Sequence, residues 1–493
     1  MSDPMVRSLK DRAISGAGWS FLDNAVQQAL SLVIFVILGR LLSPALFGIV
    51  STALVFVLLM RSTVLNSIST GLVTLRNPTS EDYDTGFWLC VAISLIAFGF
   101  INILAGPLSQ FYGLSELLRV VRATSIIVLI SGLSYSHIGW ARRNFRFRSL
   151  AMRNSTSTAV GGAVGIVVAL AGYGLSALIL NQVIASVLGL WLLWRAIPWR
   201  PKRRFSLLRA RAILSTALPL GVNQSLQFIS QNFDTALVTF LLGPSSGGLY
   251  AAAKRVVGAI QIALWQPIAS VALPTFAEVS GDPIRFGNAA VRVARLVMAL
   301  TAPLFIGIAL TAQLSIAVLF GPKWEGAAPI MAVLAAFGLF IPSLGILNQI
   351  VMAMGRAKLI LIFTLLQMLL SVISIALVGK SDLVLLALCL SVPIPIVFML
   401  TLITVARITT FPIKRYLIGI GVPLICTLAM AAAVWSIPPL NMGALTQLII
   451  SILVGGTVYV FGILSVARQV CIEVWSLIGP LLPASSRDRN GLQ

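Results

Sequence analysis

Long apolar stretches recur along almost the whole chain, and no other feature narrows its fold so far. About 20 apolar residues cross the hydrocarbon core of a bilayer as a helix. By that length the sequence holds about fourteen candidate spans, near 17–38, 45–73, 86–106, 118–140, 154–171, 175–197, 213–241, 248–276, 293–319, 327–353, 359–378, 384–406, 416–436 and 445–467. Merging or dropping a pair leaves twelve. Only 10% of the 493 residues are charged and 58% are hydrophobic, against roughly 25% charged in soluble domains. A water-soluble chain of this length could not build its polar exterior from so few charges. The expected fold is all-α and integral to the membrane.

The net charge of +21 would point to nucleic acid in a soluble protein. Here its distribution follows the spans, because Lys and Arg collect in cytoplasmic loops. With the N-terminus inside, the inside loops hold Arg7, Lys10 and Arg12; Arg142, Arg143, Arg146, Arg148 and Arg153; and the basic run from Arg195 to Arg211. Later inside loops hold Arg356, Lys358, Arg407, Lys414, Arg415 and Arg468. Both termini are therefore expected in the cytoplasm. The basic start, followed by a run long enough to span, predicts no cleaved signal peptide.

The longest hydrophilic stretch is Pro198–Arg211, PWRPKRRFSLLRAR, between the sixth and seventh spans. It reads as a hinge or linker, or as simple topology anchoring against anionic headgroups. The expected organisation is an N-terminal lobe at 1–197, a basic cytoplasmic linker at 198–211 and a second lobe at 212–406. Two further helices follow at 407–470, then an interfacial segment and tail at 471–493.

The halves repeat at an offset of 200. Leu41-Leu42-Ser43-Pro44 aligns with Leu241-Leu242-Gly243-Pro244, Gly48 with Gly248 and Ala53 with Ala253. A small residue followed by Pro makes a tight turn between spans. Polar stripes follow the same offset: Ser20, Asn24, Gln27 and Ser31 lie on one face of the first helix, and Gln224, Gln227, Gln231 and Asp234 on one face of the seventh. Six-helix repeats in parallel orientation are a transporter signature, with the substrate site between them.

Charges inside spans are costly and normally face a wet cavity or a partner. Arg61 lies well inside the second span, Asp23 in the first and Asp234 in the seventh. Lys254 and Arg255 begin the eighth, and Arg119 and Arg122 the fourth. The last two could snorkel to headgroups. Asp23 and Asp234 form an ion site or a charge-pair site. The cationic surplus suits an anion, and the guanidinium fork suits phosphate. The Asn and Gln faces suit hydroxyl-rich ligands. Candidate substrate-binding residues are thus Arg61, Arg255, Lys254, Arg119, Arg122, Asn24, Gln27, Gln224, Gln227 and Gln231. The single histidine, His137, and scattered Cys90, Cys389, Cys426 and Cys471 offer no metal or redox motif. No GxxxxGK[ST] or HExxH pattern occurs. No cofactor, no ATPase and no enzyme activity is expected.

Four stretches carry a family resemblance: GRLLSPALFGIVSTA at 39–53, WARRNFRFRSLAMRN at 140–154, NFDTALVTFLLGPSSGGLYAAAKRV at 232–256 and LFGPKWEGAAPIMAVLA at 319–335. The chain resembles the polysaccharide transporter family, the Wzx-type oligosaccharide flippases of the multidrug/oligosaccharidyl-lipid/polysaccharide (MOP) exporter superfamily. It is most similar to exopolysaccharide exporters of the colanic acid and succinoglycan type. The resemblance implies a MATE/MOP-like fold of two lobes around a cationic cavity in the bacterial inner membrane. It implies flipping of an undecaprenyl-pyrophosphate-linked oligosaccharide to the periplasmic leaflet by alternating access, with a polymerase and co-polymerase as pathway partners. Arg255 matches an arginine near the start of the eighth helix in lipid II flippases, and Arg61 corresponds approximately to one in their second helix. Two first-helix arginines of those flippases have no match here, which argues against lipid II. A multidrug exporter of the same superfamily is the alternative, although it would need more acidic residues; a membrane scaffold is a third reading.

Overall fold

The computed structural model describes residues 4–278, 282–378, 382–409, 412–438 and 442–466. All regular structure among them is helical: α1 Pro4–Leu41, α2 Pro44–Thr74, α3 Ser80–Tyr112, α4 Ser115–Arg143, α5 Phe147–Leu170, α6 Gly174–Ala196, α7 and α8 as the arms 207–242 and 244–278 of one bent helix, α9 Pro283–Leu310, a short α10 Ala312–Leu319, α11 Ala327–Ala353, α12 Ala357–Val378, α13 Leu383–Ile408, α14 Ile413–Trp435 and α15 Ala444–Val466. Among the described residues, twelve helices are long and apolar enough to cross a membrane, with Leu207–Trp265 counted as one. That helix bends at Gly243 (φ 84, ψ 174), so each arm is a span. Phe147–Leu170 has the length and is only more polar. Counting it and both arms gives the expected fourteen. The expected segment 471–493 lies outside the described residues.

The outer faces carry exposed apolar side chains, among them Ile96, Ile103, Leu377 and Phe461, as lipid-facing surfaces do. Buried hydroxyls spare the interior unpaired groups by bonding back to their own helix, as Thr124 does to Val120 and Thr401 to Val397. Local signals set the helix ends. Pro44 occupies the first turn of α2, where its missing N–H costs nothing. The Asp82 carboxylate accepts from the Thr79 N–H at 2.7 Å and its hydroxyl at 2.9 Å, starting α3. Gly113 (φ 65) ends α3 in the left-handed conformation that glycine reaches without strain. Arg143 donates to the Val73 and Leu75 carbonyls, closing the C-terminal end of α2.

The chain forms two compact units, divided between Ala252 and Ala253. In the first, α5 packs on α1 and α6, and α4 packs on α2, α3 and α6. Gly161 and Gly165, four apart, bring α5 against the Asn181 and Ala177 backbone of α6. The seventh helix belongs to this unit: Gly71 of α2 meets the Ile213 carbonyl, Phe111 and Phe240 stack at 4.3 Å, and the Thr52 and Thr239 hydroxyls bond at 3.0 Å. In the second unit, α9 packs on α11 and α14, and α14 on α15. Tyr459 donates to the Ala299 carbonyl at 2.6 Å within a core of Leu296, Cys426, Met430 and Ile463.

The repeated turns meet reciprocally. A Cβ on Gly48 would stand 1.9 Å from the Pro244 carbonyl oxygen, and one on Gly248 would stand 1.8 Å from that of Pro44. The sequence match thus marks a paired contact in which each glycine admits the other repeat's backbone. The turns are not copies, because Ser43 is extended (φ -83) where Gly243 has φ 84.

The stretch after α6 is held in place. Lys202 donates its N–H to Asp84 at 3.0 Å, Trp88 donates to the Lys202 carbonyl at 2.9 Å, and Ser206 donates its N–H to Thr85. Arg209 reaches Glu81 at 3.0 Å and Asp82 at 2.8 Å. Residues 199–209 thus lie along the start of α3. Asp84→Ala removes the Lys202 anchor, while Asp84→Asn keeps an acceptor. Trypsin cleavage after Lys202, Arg203 and Arg204 in detergent is expected to be roughly fivefold faster in the first variant and near normal in the second.

Candidate functional site

Five helices of the first unit enclose a polar cavity of about 320 Å³, within the range of small-molecule sites. Helix α1 supplies Asp23, Asn24 and Gln27, and α2 supplies Arg61. Helix α4 supplies Ser131, Ser134 and Tyr135, α5 supplies Arg153, Asn154, Ser157 and Thr158, and α6 supplies Gln182 and Ser186. Asn24 and Gln27 of the α1 polar stripe therefore lie on one wall and Arg61 on another, while Ser20 and Ser31 are not part of the lining. Arg61 sits in a π-helical turn, Met60–Leu65. Such a turn inserts an extra residue into the helix and is frequent at functional sites.

Hydrogen bonds fix the walls. Asn154 donates to Asp23 at 2.8 Å, and Thr158 donates to Gln27 at 2.8 Å, joining α5 to α1. Arg153 donates Nε–H to the Gly189 carbonyl at 2.9 Å. A Cβ at Gly189 would stand 3.3 Å from that guanidinium, so the glycine lets the arginine lie on the backbone of α6. Below Arg61, Asn66 donates to Gln224 at 3.4 Å and accepts from Arg142 at 3.3 Å. Asp23 and Arg61 both lie near enough to Arg153 to interact electrostatically. Two guanidiniums against one carboxylate leave the cavity with a positive excess, and low-dielectric walls strengthen its pull on an anion.

Of the residues singled out in the sequence, Asp23, Asn24, Gln27 and Arg61 come together here. Gln224 joins the same helices through Asn66 but does not line the cavity. Gln227 and Gln231 are exposed on α7. Asp234 accepts from the Tyr250 hydroxyl at 2.9 Å, tying α7 to α8. Arg119 and Arg122 are exposed near the start of α4, away from the cavity lining. In the second unit Lys254 is half-buried and Arg255 exposed. Arg153, counted as an inside-loop residue, is instead the seventh residue of α5, because that helix begins at Phe147. The signal was the polar run Arg153-Asn154-Ser155-Thr156-Ser157-Thr158, whose i, i+4 pairs Arg153/Ser157 and Asn154/Thr158 present one helical face.

Residues 37–329 match the model of a family described as polysaccharide biosynthesis protein. The chain belongs to that family. This is the family expected from the resemblance at 39–53, 140–154 and 232–256. Relatives of this family member include the succinoglycan biosynthesis transport protein ExoT of Rhizobium meliloti (strain 1021), 27% identical over 321 residues. The lipopolysaccharide biosynthesis protein WzxC of Escherichia coli (strain K12) is 21% identical over 353 residues. The matched region spans 64% of this chain and 64% of ExoT, under two thirds of that relative's length, and 71% of this chain and 71% of WzxC. Among solved structures, the lipid II flippase MurJ in an inward closed conformation superposes with a TM-score of 0.72 at 15% identity, covering 93% of this chain and 100% of MurJ. A multidrug resistance MATE family transporter of the MOP superfamily, inward-facing, gives 0.61 at 15% identity, covering 78% of this chain and 96% of that one. The family member thus has the MurJ and MATE fold, a multi-pass helical membrane architecture.

Proposed function

We propose that the chain is a flippase of the bacterial inner membrane. It moves an undecaprenyl-pyrophosphate-linked oligosaccharide repeat unit from the cytoplasmic to the periplasmic leaflet for exopolysaccharide biosynthesis. The observation that carries this reading is the cavity itself: Arg61 and Arg153 face neutral amides and hydroxyls, a lining suited to phosphate beside sugar. Family membership and relatives named for polysaccharide biosynthesis and its transport support it. In this reading two six-helix lobes alternate in access, both termini are cytoplasmic, and Arg255 and Lys254 serve the anion from the second lobe. A polymerase and co-polymerase take the product onward, and the polyprenyl tail stays in lipid. The protein performs transport and no covalent chemistry. Deleting the gene is expected to stop polymer export and to leave the lipid-linked repeat unit on the cytoplasmic leaflet; undiminished export would refute the proposal.

A further inference from the structure

A second cavity, of about 540 Å³, lies in the first unit outside the polar cavity just described, where the α2–α3 turn, the end of α4 and the stretch after α6 converge. Its walls are aromatic, from Tyr83, Trp140 and Trp199, and its rim holds Asn77, Ser80 and Asn144. One backbone feature marks it. Among the described residues, the two non-glycine residues with positive φ are Asn77 (φ 50), on the rim, and Phe145 (φ 53), adjoining Asn144. Strained backbone of this kind clusters at ligand clamps.

The chemistry selects the ligand. The lining holds a single cation, Arg143, and its guanidinium already serves the Val73 and Leu75 carbonyls. The remaining polar groups are the Asn77 and Asn144 amides and the Ser80 and Tyr83 hydroxyls, set beside aromatic surface. Aromatic faces beside neutral amides and hydroxyls fit a ligand having both a C–H face and hydroxyls. We propose that this cavity binds a neutral sugar ring. With the flippase reading, on which this role rests, it is the cytoplasmic docking site where the oligosaccharide is held before entry, on the side marked by Arg142, Arg143, Arg146 and the basic stretch after α6.

The test is calorimetric titration of the purified full chain in detergent with short neutral oligosaccharides released from the host's exopolysaccharide, and separately with inorganic pyrophosphate. Trp140→Ala removes an aromatic wall. Asn77→Gly removes an amide while glycine keeps φ 50 without strain, so it preserves the fold. Saturable oligosaccharide binding is expected, with the dissociation constant raised roughly tenfold by Trp140→Ala and about threefold or more by Asn77→Gly. No saturable oligosaccharide binding, or binding that Asn77→Gly leaves unchanged, overturns the site. So does a response to pyrophosphate alone. Failure of the flippase reading is distinguishable, because it shows as normal export in the deletion strain while the sugar binding and its sensitivity to Asn77→Gly persist.

Discussion

Arg61→Ala is expected to cut polymer export by about 10- to 100-fold while the protein still accumulates in the membrane. A charge-assisted hydrogen bond contributes about 1.5–3 kcal/mol, and each 1.4 kcal/mol is about tenfold in an equilibrium. The residue is half-buried in a π-helical turn facing the cavity, so removing it takes charge from the site and leaves little else changed. Arg61→Lys keeps the charge and loses the planar fork, and should fall between. Arg119→Ala and Arg122→Ala, on exposed residues away from the cavity lining, should export nearly as the wild type does. Exported polymer per unit of membrane-inserted protein is the quantity to compare. Equal export by Arg61→Ala and wild type would remove Arg61 from the site.

The second large effect concerns the paired turns. Gly48→Ala and Gly248→Ala each place a Cβ less than 2 Å from a carbonyl oxygen, and backbone cannot yield as a side chain does. Each is expected to destabilise the protein by about 1–3 kcal/mol, read as a lower midpoint of thermal unfolding in detergent. Because the contact is reciprocal, the first substitution already separates the two turns. The double variant should therefore lose less than the sum of the singles. Gly18→Ala, with no atom within 4 Å of its Cβ position, is the control and should be neutral or slightly stabilising, since alanine favours helix by up to about 1 kcal/mol. Strict additivity at Gly48 and Gly248 would contradict the reciprocal packing.

Much of this was legible in the sequence because two strong signals carry it. Apolar runs of spanning length give the helices, and the Pro44/Gly48 and Pro244/Gly248 pairs mark turns that the fold places together. Asp23, Asn24, Gln27 and Arg61 were visible as polar groups where lipid forbids them. Arg153 was hidden because hydropathy starts its helix after the basic run, whereas the backbone starts it at Phe147. The anchoring of residues 199–209 was hidden for a different reason. It depends on main-chain N–H groups of Lys202 and Ser206 finding Asp84 and Thr85 more than a hundred residues away, and no local pattern encodes such a pairing. The aromatic cavity likewise has no local sequence signature, since Tyr83, Trp140 and Trp199 converge only in the folded unit.

The proposed activity is transport of a lipid-linked oligosaccharide through a cationic polar cavity. Its most direct test is reconstitution of the purified full chain into vesicles carrying an undecaprenyl-pyrophosphate-linked repeat unit in both leaflets, followed by oxidation of accessible sugar with impermeant external periodate. With the wild-type protein, the inner-leaflet fraction should become accessible over time, while Arg61→Ala vesicles should retain it as protein-free vesicles do. An inner-leaflet fraction that stays protected with the wild-type protein, or is released equally by Arg61→Ala, would contradict the account.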